Sequence, residues 1–377
     1  MNLKKHDTLI QKEWLWQYAD EERDVNVFNT PDKTSLIFAI FYLDDLEEAI
    51  TPIISNIFSL VEKEFHDWNV SYPWTEYNGV ELEITQYVYE LGNKEITIPY
   101  ITGQICVEDN LQQEEGIIIS ILYNISKTIG PGCFIKISDT TGDFLLAEAY
   151  EGIPEEYEFP IANNRFWLND GKFKMISKNY YYNRGLQPEE SLEFLRKSPQ
   201  NCIEIPKISS ILQSKVTEDF PSKYMSDMVQ IPLLINDNSI AQLLKDNSQI
   251  INYLLKNIAS TTDPIDKIDL NLKGTAQKIN LLATKSHCEV LKYYLEMNNL
   301  RNDSTNIELA SGEIISCTLR DLVDSKMISI ENSSNMKLKP SNIFDIGKFP
   351  VLNLYKNMDM TNDVQPTEEL IEKLGNF

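Results

Sequence analysis

Hydrophobic and polar positions change period several times along this chain, and each change marks an element. Thr34 to Leu43, TSLIFAIFYL, is a near-continuous apolar run of strand length, the pattern of a central strand buried on both faces. Thr51-Pro52 supplies an N-cap and a proline at the first helical position. Ile53, Ile57, Leu60/Val61 and Phe65 then recur at helical spacing, which predicts a helix to about Trp68. Val80 to Glu90 alternates Leu82, Ile84 and Val88 with Glu83, Thr85 and Tyr89. Gly92-Asn93 turns the chain and Ile96 to Val107 returns, giving a hairpin with one solvated face. Asp109, with Gln112 three residues on, caps a second helix whose stripe of Ile118, Ile121, Leu122, Ile125 and Ile129 stops at Gly130-Pro131.

From Cys133 the pattern returns to period two. Cys133, Ile135 and Ile137 alternate with Phe134, Lys136 and Ser138, and after a polar turn Phe144 to Ala149 reads as the returning strand of a hairpin. Asp170-Gly171 is the dipeptide of a type I′ turn, in which both central residues take positive φ. Its two-residue loop sets Leu168 opposite Phe173 and Phe166 opposite Met175 on one face, with Trp167 and Lys174 on the other. Beyond Gly185 helical period dominates: Pro188 to Lys197, Pro206 to Val216, Ser239 to Lys245, Ser248 to Ala259, Lys278 to Asn298 and Ile314 to Met327. A short helix at Glu368 to Leu374 is the last expected element. The fold class is therefore α+β, a mainly antiparallel sheet with helices over one face, followed by a mostly α-helical half. The expected division is an N-terminal extension (1–30), an α+β domain (31–182), a helical domain (186–330) and an irregular C-terminal segment (331–377).

The formal charge of −23 and pI near 4.6 argue against direct binding to nucleic acid, where affinity comes from Lys and Arg displacing phosphate counterions. No run approaches the ~20 apolar residues of a membrane span, so a soluble, intracellular protein is expected. The five cysteines show no paired spacing and are expected as free thiols. The three histidines, His6, His66 and His287, are too far apart for a zinc ligand set, and neither a phosphate-binding glycine loop nor a nucleophile elbow is present. No cofactor and no metal site is expected.

Asp143 and Glu148 are the one carboxylate pair in the central block. They serve either turn geometry and an ion pair, with Arg165 the partner of Glu148, or the acid and base of a hydrolase. Two aromatic groups stay open between docking on the body and binding a partner: Trp14-Leu15-Trp16-Gln17-Tyr18, and Trp68, Tyr72, Trp74 and Tyr77.

The succession of Gly142-Asp143, FLLAEA with Glu148 in it, Ile153-Pro154, Asn164-Arg165-Phe166 and a hairpin ending near Ile176 resembles the ecdysoneless family. Asp109-Asn110-Leu111 before an Ile-rich helix, the helices of Pro188 to Val216 and Asp263-Pro264-Ile265-Asp266 extend the likeness over roughly residues 34 to 350. Asp143, Phe144, Glu148, Asn164, Arg165, Trp167, Asp263, Pro264 and Asp266 are the family-motif residues and hence the candidate interaction residues. Where the family carries a Glu-Trp pair at the start of the covering helix, this chain has Glu115-Gly116.

The resemblance implies a non-catalytic adaptor found in nucleus and cytoplasm. Such a protein acts in pre-mRNA splicing through the large spliceosomal scaffold protein, in transcription and cell-cycle control, and through the RuvB-like co-chaperone complex. It also implies a short, divergent member without the long acidic C-terminal tail. The alternatives are a hydrolase or nucleotide-binding enzyme using Asp143 and Glu148, and an RNA-binding splicing factor.

Overall fold

The computed structural model describes residues 2–5, 15–17, 35–44, 50–106, 111–139, 142–181, 184–259, 270–271, 273–298, 300, 307–331 and 343–354. The chain forms two compact units: one takes residues 1–6, 70–77 and 227–377, the other residues 7–69 and 78–226. The expected break between 182 and 186 thus lies inside the second of these, because the helix that starts at Pro188 packs on that unit's sheet.

In the first unit β1 (Asn2–Lys5) pairs antiparallel with β12 (Ile328–Glu331). The second unit is built on one antiparallel sheet. Its strands are β2 (Ser35–Tyr42), β3 (Glu81–Leu91), β4 (Lys94–Cys106), β5 (Cys133–Asp139), β6 (Gly142–Asp143), β7 (Phe166–Asn169), β8 (Lys172–Ile176) and β9 (Cys202–Glu204). The order is β3-β4-β2-β5-β7-β8-β9, with β6 on β5. The Asp170-Gly171 turn has φ of 52° and 67°, and Leu168 faces Phe173 and Phe166 faces Met175, the register expected of a two-residue loop.

Both sheet faces are covered, where helices over one were expected. On one face α1 (Ile50–Ser71) lays Phe65 on Phe38 with ring centroids 5.4 Å apart, and α2 (Leu111–Ser126) lays Tyr123 on Phe173 at 5.6 Å. The other face holds Ile37, Ala39, Phe41 and Trp167 under α4 (Pro188–Lys197) and under Leu15 and Trp16 from the N-terminal stretch. Leu15 and Trp16 therefore dock on the sheet. Trp68 stacks on Phe220 in this unit at 5.3 Å, while Tyr72 and Trp74 form an edge-on pair inside the other, so each of these aromatics is buried within its own unit.

FLLAEA departs from its expected strand. Only Gly142 and Asp143 pair with β5, and the chain then coils into α3 (Phe144–Glu148). Leu, Ala and Glu are good helix formers and the run has no β-branched residue. The chain continues through two 3-10 turns, Tyr150–Gly152 and Glu155–Tyr157, and later through α5 (Pro206–Leu212) and α6 (Ser222–Met225).

The first unit adds α7 (Asn238–Asp246), α8 (Ile251–Lys256), α9 (Lys285–Met297) and α10 (Ile307–Asp324), packed on a two-stranded sheet of β10 (Met228–Ile235) and β11 (Gln277–Thr284). The helix expected over Lys278 to Asn298 thus begins only at Lys285. Ile279, Leu281 and Ala283 alternate into the core, and a strand satisfies that period. Neighbouring His287 is buried, with Nδ1 2.7 Å from Thr284 Oγ1 and Nε2 3.3 Å from Thr75 Oγ1. The element expected at Glu368 to Leu374, like the helix cap at Asp109, lies outside the described residues.

Candidate functional site

Three of the family-motif residues, Asp143, Asn164 and Trp167, meet at the sheet face under Trp16 and Gln17. Alternation along β5 aims Lys136 into this apolar face, where its side chain is fully buried. Its Nζ lies 3.0 Å from Asp143 Oδ2, 5.8 Å from the centroid of Trp16 and 5.6 Å from that of Trp167. A buried ammonium requires such compensation, and a carboxylate plus two indole faces provide it. Asp143 is placed there by a tight return in which Asp139 Oδ1 accepts from Gly142 N at 2.8 Å. Asp143 is thus the ion-pair partner of Lys136, and Trp167, with no exposed surface, is a wall of that pair.

Asn164 and Arg165 sit where the loop from Tyr150 re-enters the sheet. Asn164 takes φ of 57°, a left-handed conformation that asparagine tolerates best among residues with a side chain. Its amide closes on the backbone of Gln17, accepting from N at 3.0 Å and donating to O at 2.7 Å, and also donates to Leu186 O at 2.7 Å. Trp167 Nε1 and Ser191 Oγ both donate to Asn164 O. One residue therefore ties the N-terminal stretch, the sheet and α4 together.

Arg165 is buried and its guanidinium meets main-chain carbonyls. Nε donates to Ile161 O at 2.7 Å, Nη1 to Ser177 O at 2.9 Å, and Nη2 to Tyr180 O at 2.8 Å, Tyr181 O at 3.0 Å and Arg184 O at 3.0 Å. The expectation that Arg165 pairs with Glu148 is therefore corrected. The five donors of a rigid planar fork match carbonyls converging from two loops, and the carbonyls lie nearer than any carboxylate.

Glu148 belongs instead to an acidic group at the start of α2. Its own carbonyl accepts from Lys215 Nζ at 2.9 Å, and its carboxylate lies close enough to Glu115 to raise that residue's pKa. Glu115 is 1 % exposed and its Oε1 has no hydrogen-bond partner among the described residues. Burial pushes the Glu115 carboxyl up to about 8, with the charges of Asp139, Glu148 and Glu114 adding to the effect. Among the described residues no group of His, Cys, Asp and Glu is arranged to hold a metal ion. Gly116, in place of the family's tryptophan, leaves room for the Tyr224 ring, whose hydroxyl donates to Val216 O at 2.7 Å.

Phe144 heads α3, and Asp263, Pro264 and Asp266 lie outside the described residues. Sequence reasoning missed Lys136, Gln17 and Glu115 as parts of this arrangement. A lone lysine inside the alternating run CFIKISD was the available signal for the first, since a charge at an inward position needs a buried partner.

A family model described as SGT1 protein matches residues 37–266, more than half of the chain. Protein ecdysoneless homolog of Arabidopsis thaliana is 25% identical over 163 residues, which is 42% of this chain and 24% of the relative. The matched part thus spans about a quarter of that relative's length. No solved structure matches. The matched stretch contains the whole arrangement from β5 to α4, and the chain belongs to the SGT1 protein family, as a divergent ecdysoneless-like member.

Proposed function

We propose that this protein is a regulatory adaptor that works through protein–protein contacts, in the manner its likeness to an ecdysoneless homolog suggests. The observation that carries the reading is the inward use of the motif side chains. Asp143, Asn164, Arg165 and Trp167 are all committed to buried partners within the unit, so what they provide is a fixed surface. Residues held to turn over a substrate need access to it. The hydrolase alternative also loses its acid, because Asp143 is bound to Lys136. The formal charge of −23 favours basic protein partners over nucleic acid.

At the finer level, the partners proposed are the large spliceosomal scaffold protein and the RuvB-like co-chaperone complex. The settings are pre-mRNA splicing, transcription and cell-cycle control, in nucleus and cytoplasm. Affinity purification of the tagged full chain from its own cells, with mass spectrometry of co-eluting proteins at moderate salt, tests this. Recovery of the scaffold protein and its assembly chaperones is expected. Recovery of none of them, with the tagged protein folded and abundant, would remove the reading.

A further inference from the structure

The loops gathered by Arg165 are closely packed on the inside and carry exposed side chains on the outside. Ile161 O ends one loop, and Ser177, Tyr180, Tyr181 and Arg184 supply carbonyls from the other. Tyr157 is buried between them, its hydroxyl accepting from Lys178 N at 2.9 Å. A Cβ on Gly185 would lie 2.7 Å from Pro160 O and 2.8 Å from Asn163 Cβ, so the two loops pack without space for a side chain. Gly152 is pressed in the same way on Ile208 and Ile211, fixing the first loop against α5.

On the outer side Tyr150 is 73 % and Phe159 68 % exposed, and Tyr181 is 45 % exposed. Glu151, Glu155 and Glu158 are exposed beside them and make no ion pair among the described residues. The basic groups of the two loops are already engaged: Lys178 lies 3.9 Å from Glu156, and Arg184 lies 2.6 Å from Glu190. Exposed aromatics in an acidic, pre-organised frame suit a cationic partner, because carboxylates attract it and ring faces receive its guanidinium or ammonium groups. The protein makes one such contact itself, with the Arg184 guanidinium 4.3 Å from the centroid of Tyr181. Anionic lipid and nucleic acid would meet like charge here.

We propose that the surface of Tyr150, Glu151, Glu155, Glu158, Phe159 and Tyr181 docks a basic segment of a partner protein, in which arginine or lysine alternates with apolar residues. The proposal rests on the adaptor reading and names the surface it would use. The probe is a short fluorescein-labelled peptide of alternating arginine and leucine, titrated with the full chain by fluorescence anisotropy at near-physiological salt. A glutamate–leucine peptide serves as control. Tyr150→Ala/Phe159→Ala and Glu155→Lys/Glu158→Lys are each expected to weaken binding about tenfold, with unchanged melting temperature. Glu62→Lys/Glu64→Lys, the same charge change on the exposed side of α1, is expected to weaken it less than about twofold.

Equal weakening by the Glu62/Glu64 variant overturns the proposal, since the peptide would then read only net charge. So does a wild-type chain that fails to bind, or loop variants that bind like the wild type. Affinity purification of wild type and loop variant side by side separates this from the adaptor reading. Partners lost only with the variant support the surface. Partners recovered by both overturn the surface and leave the adaptor reading standing. Partners recovered by neither overturn the adaptor reading, and the peptide titration still decides the surface.

Discussion

Arg165 and Glu115 are buried ionisable groups, one basic and one acidic, in the same unit, and the fold treats them differently. Arg165 has no exposed surface and spreads its donors over carbonyls of two loops, so its burial is compensated by hydrogen bonds to the charged form. Glu115 is buried to the same degree among Glu114, Asp139 and Glu148, and its compensation is a proton. A guanidinium cannot make that choice, because it does not give up its proton in proteins. The difference separates a charge the architecture depends on from one it merely tolerates, and mutation of each should move stability in opposite directions.

The largest expected effect is at Arg165. Replacing it by alanine strands several buried carbonyls and should lower unfolding free energy by about 4 kcal/mol, as measured by urea denaturation of the full chain. Lysine keeps the charge but loses the fork, and should cost about half as much. Next is Asp143→Asn, which leaves the Lys136 ammonium buried without its carboxylate between Trp16 and Trp167. A loss of about 3 kcal/mol is expected, and adding Lys136→Met should restore most of it. If Asp143→Asn alone is silent, the pair is not what holds this face.

Glu115 turns the sign round. Its folded pKa, about 8, lies above the ordinary 4.5, so the folded state holds the proton more tightly and stability falls as pH rises between those values. Glu115→Gln removes that dependence and should gain about 2 kcal/mol at pH 9, with little change at pH 4. The smallest effect lies in the other unit. Burial lowers the pKa of His287 from 6.5 to about 4, aided by the charge of Lys256. A group whose folded pKa is depressed binds fewer protons when folded, so its contribution is lost as pH falls from 6.5 towards 4. His287→Gln should flatten that acid limb by about 1 kcal/mol, read from unfolding curves at pH 4 and pH 7.

Much of the sheet unit was legible in the sequence because its signals are local. Asp170-Gly171 dictates a register by turn geometry, and the stripe of α2 shows its buried face without reference to any other element. The errors came where local preference and tertiary setting diverge. FLLAEA carries an apolar run of strand length but helical residue types, and the pairing with β5 stops at Asp143, just before it. Gln277–Thr284 was absorbed into the helix that follows it, because its partner strand lies more than forty residues earlier and gives no local sign. The Arg165 node was least legible. Its partners are carbonyls, which every residue has, so no side-chain pattern announces them. Lys136 and Asp143 were each visible, but their pairing depends on a turn that the strand reading of FLLAEA obscured.

The central claim is that Arg165 and the motif residues around it build a frame for two surface loops. Hydrogen–deuterium exchange on Arg165→Lys tests it most directly. Faster amide exchange confined to residues 158–165, 176–181 and 184–187, with β2, β4 and the β10–β11 pair unchanged, is the result this account predicts. Unaltered exchange in those loops, or a uniform acceleration through both units, would contradict it.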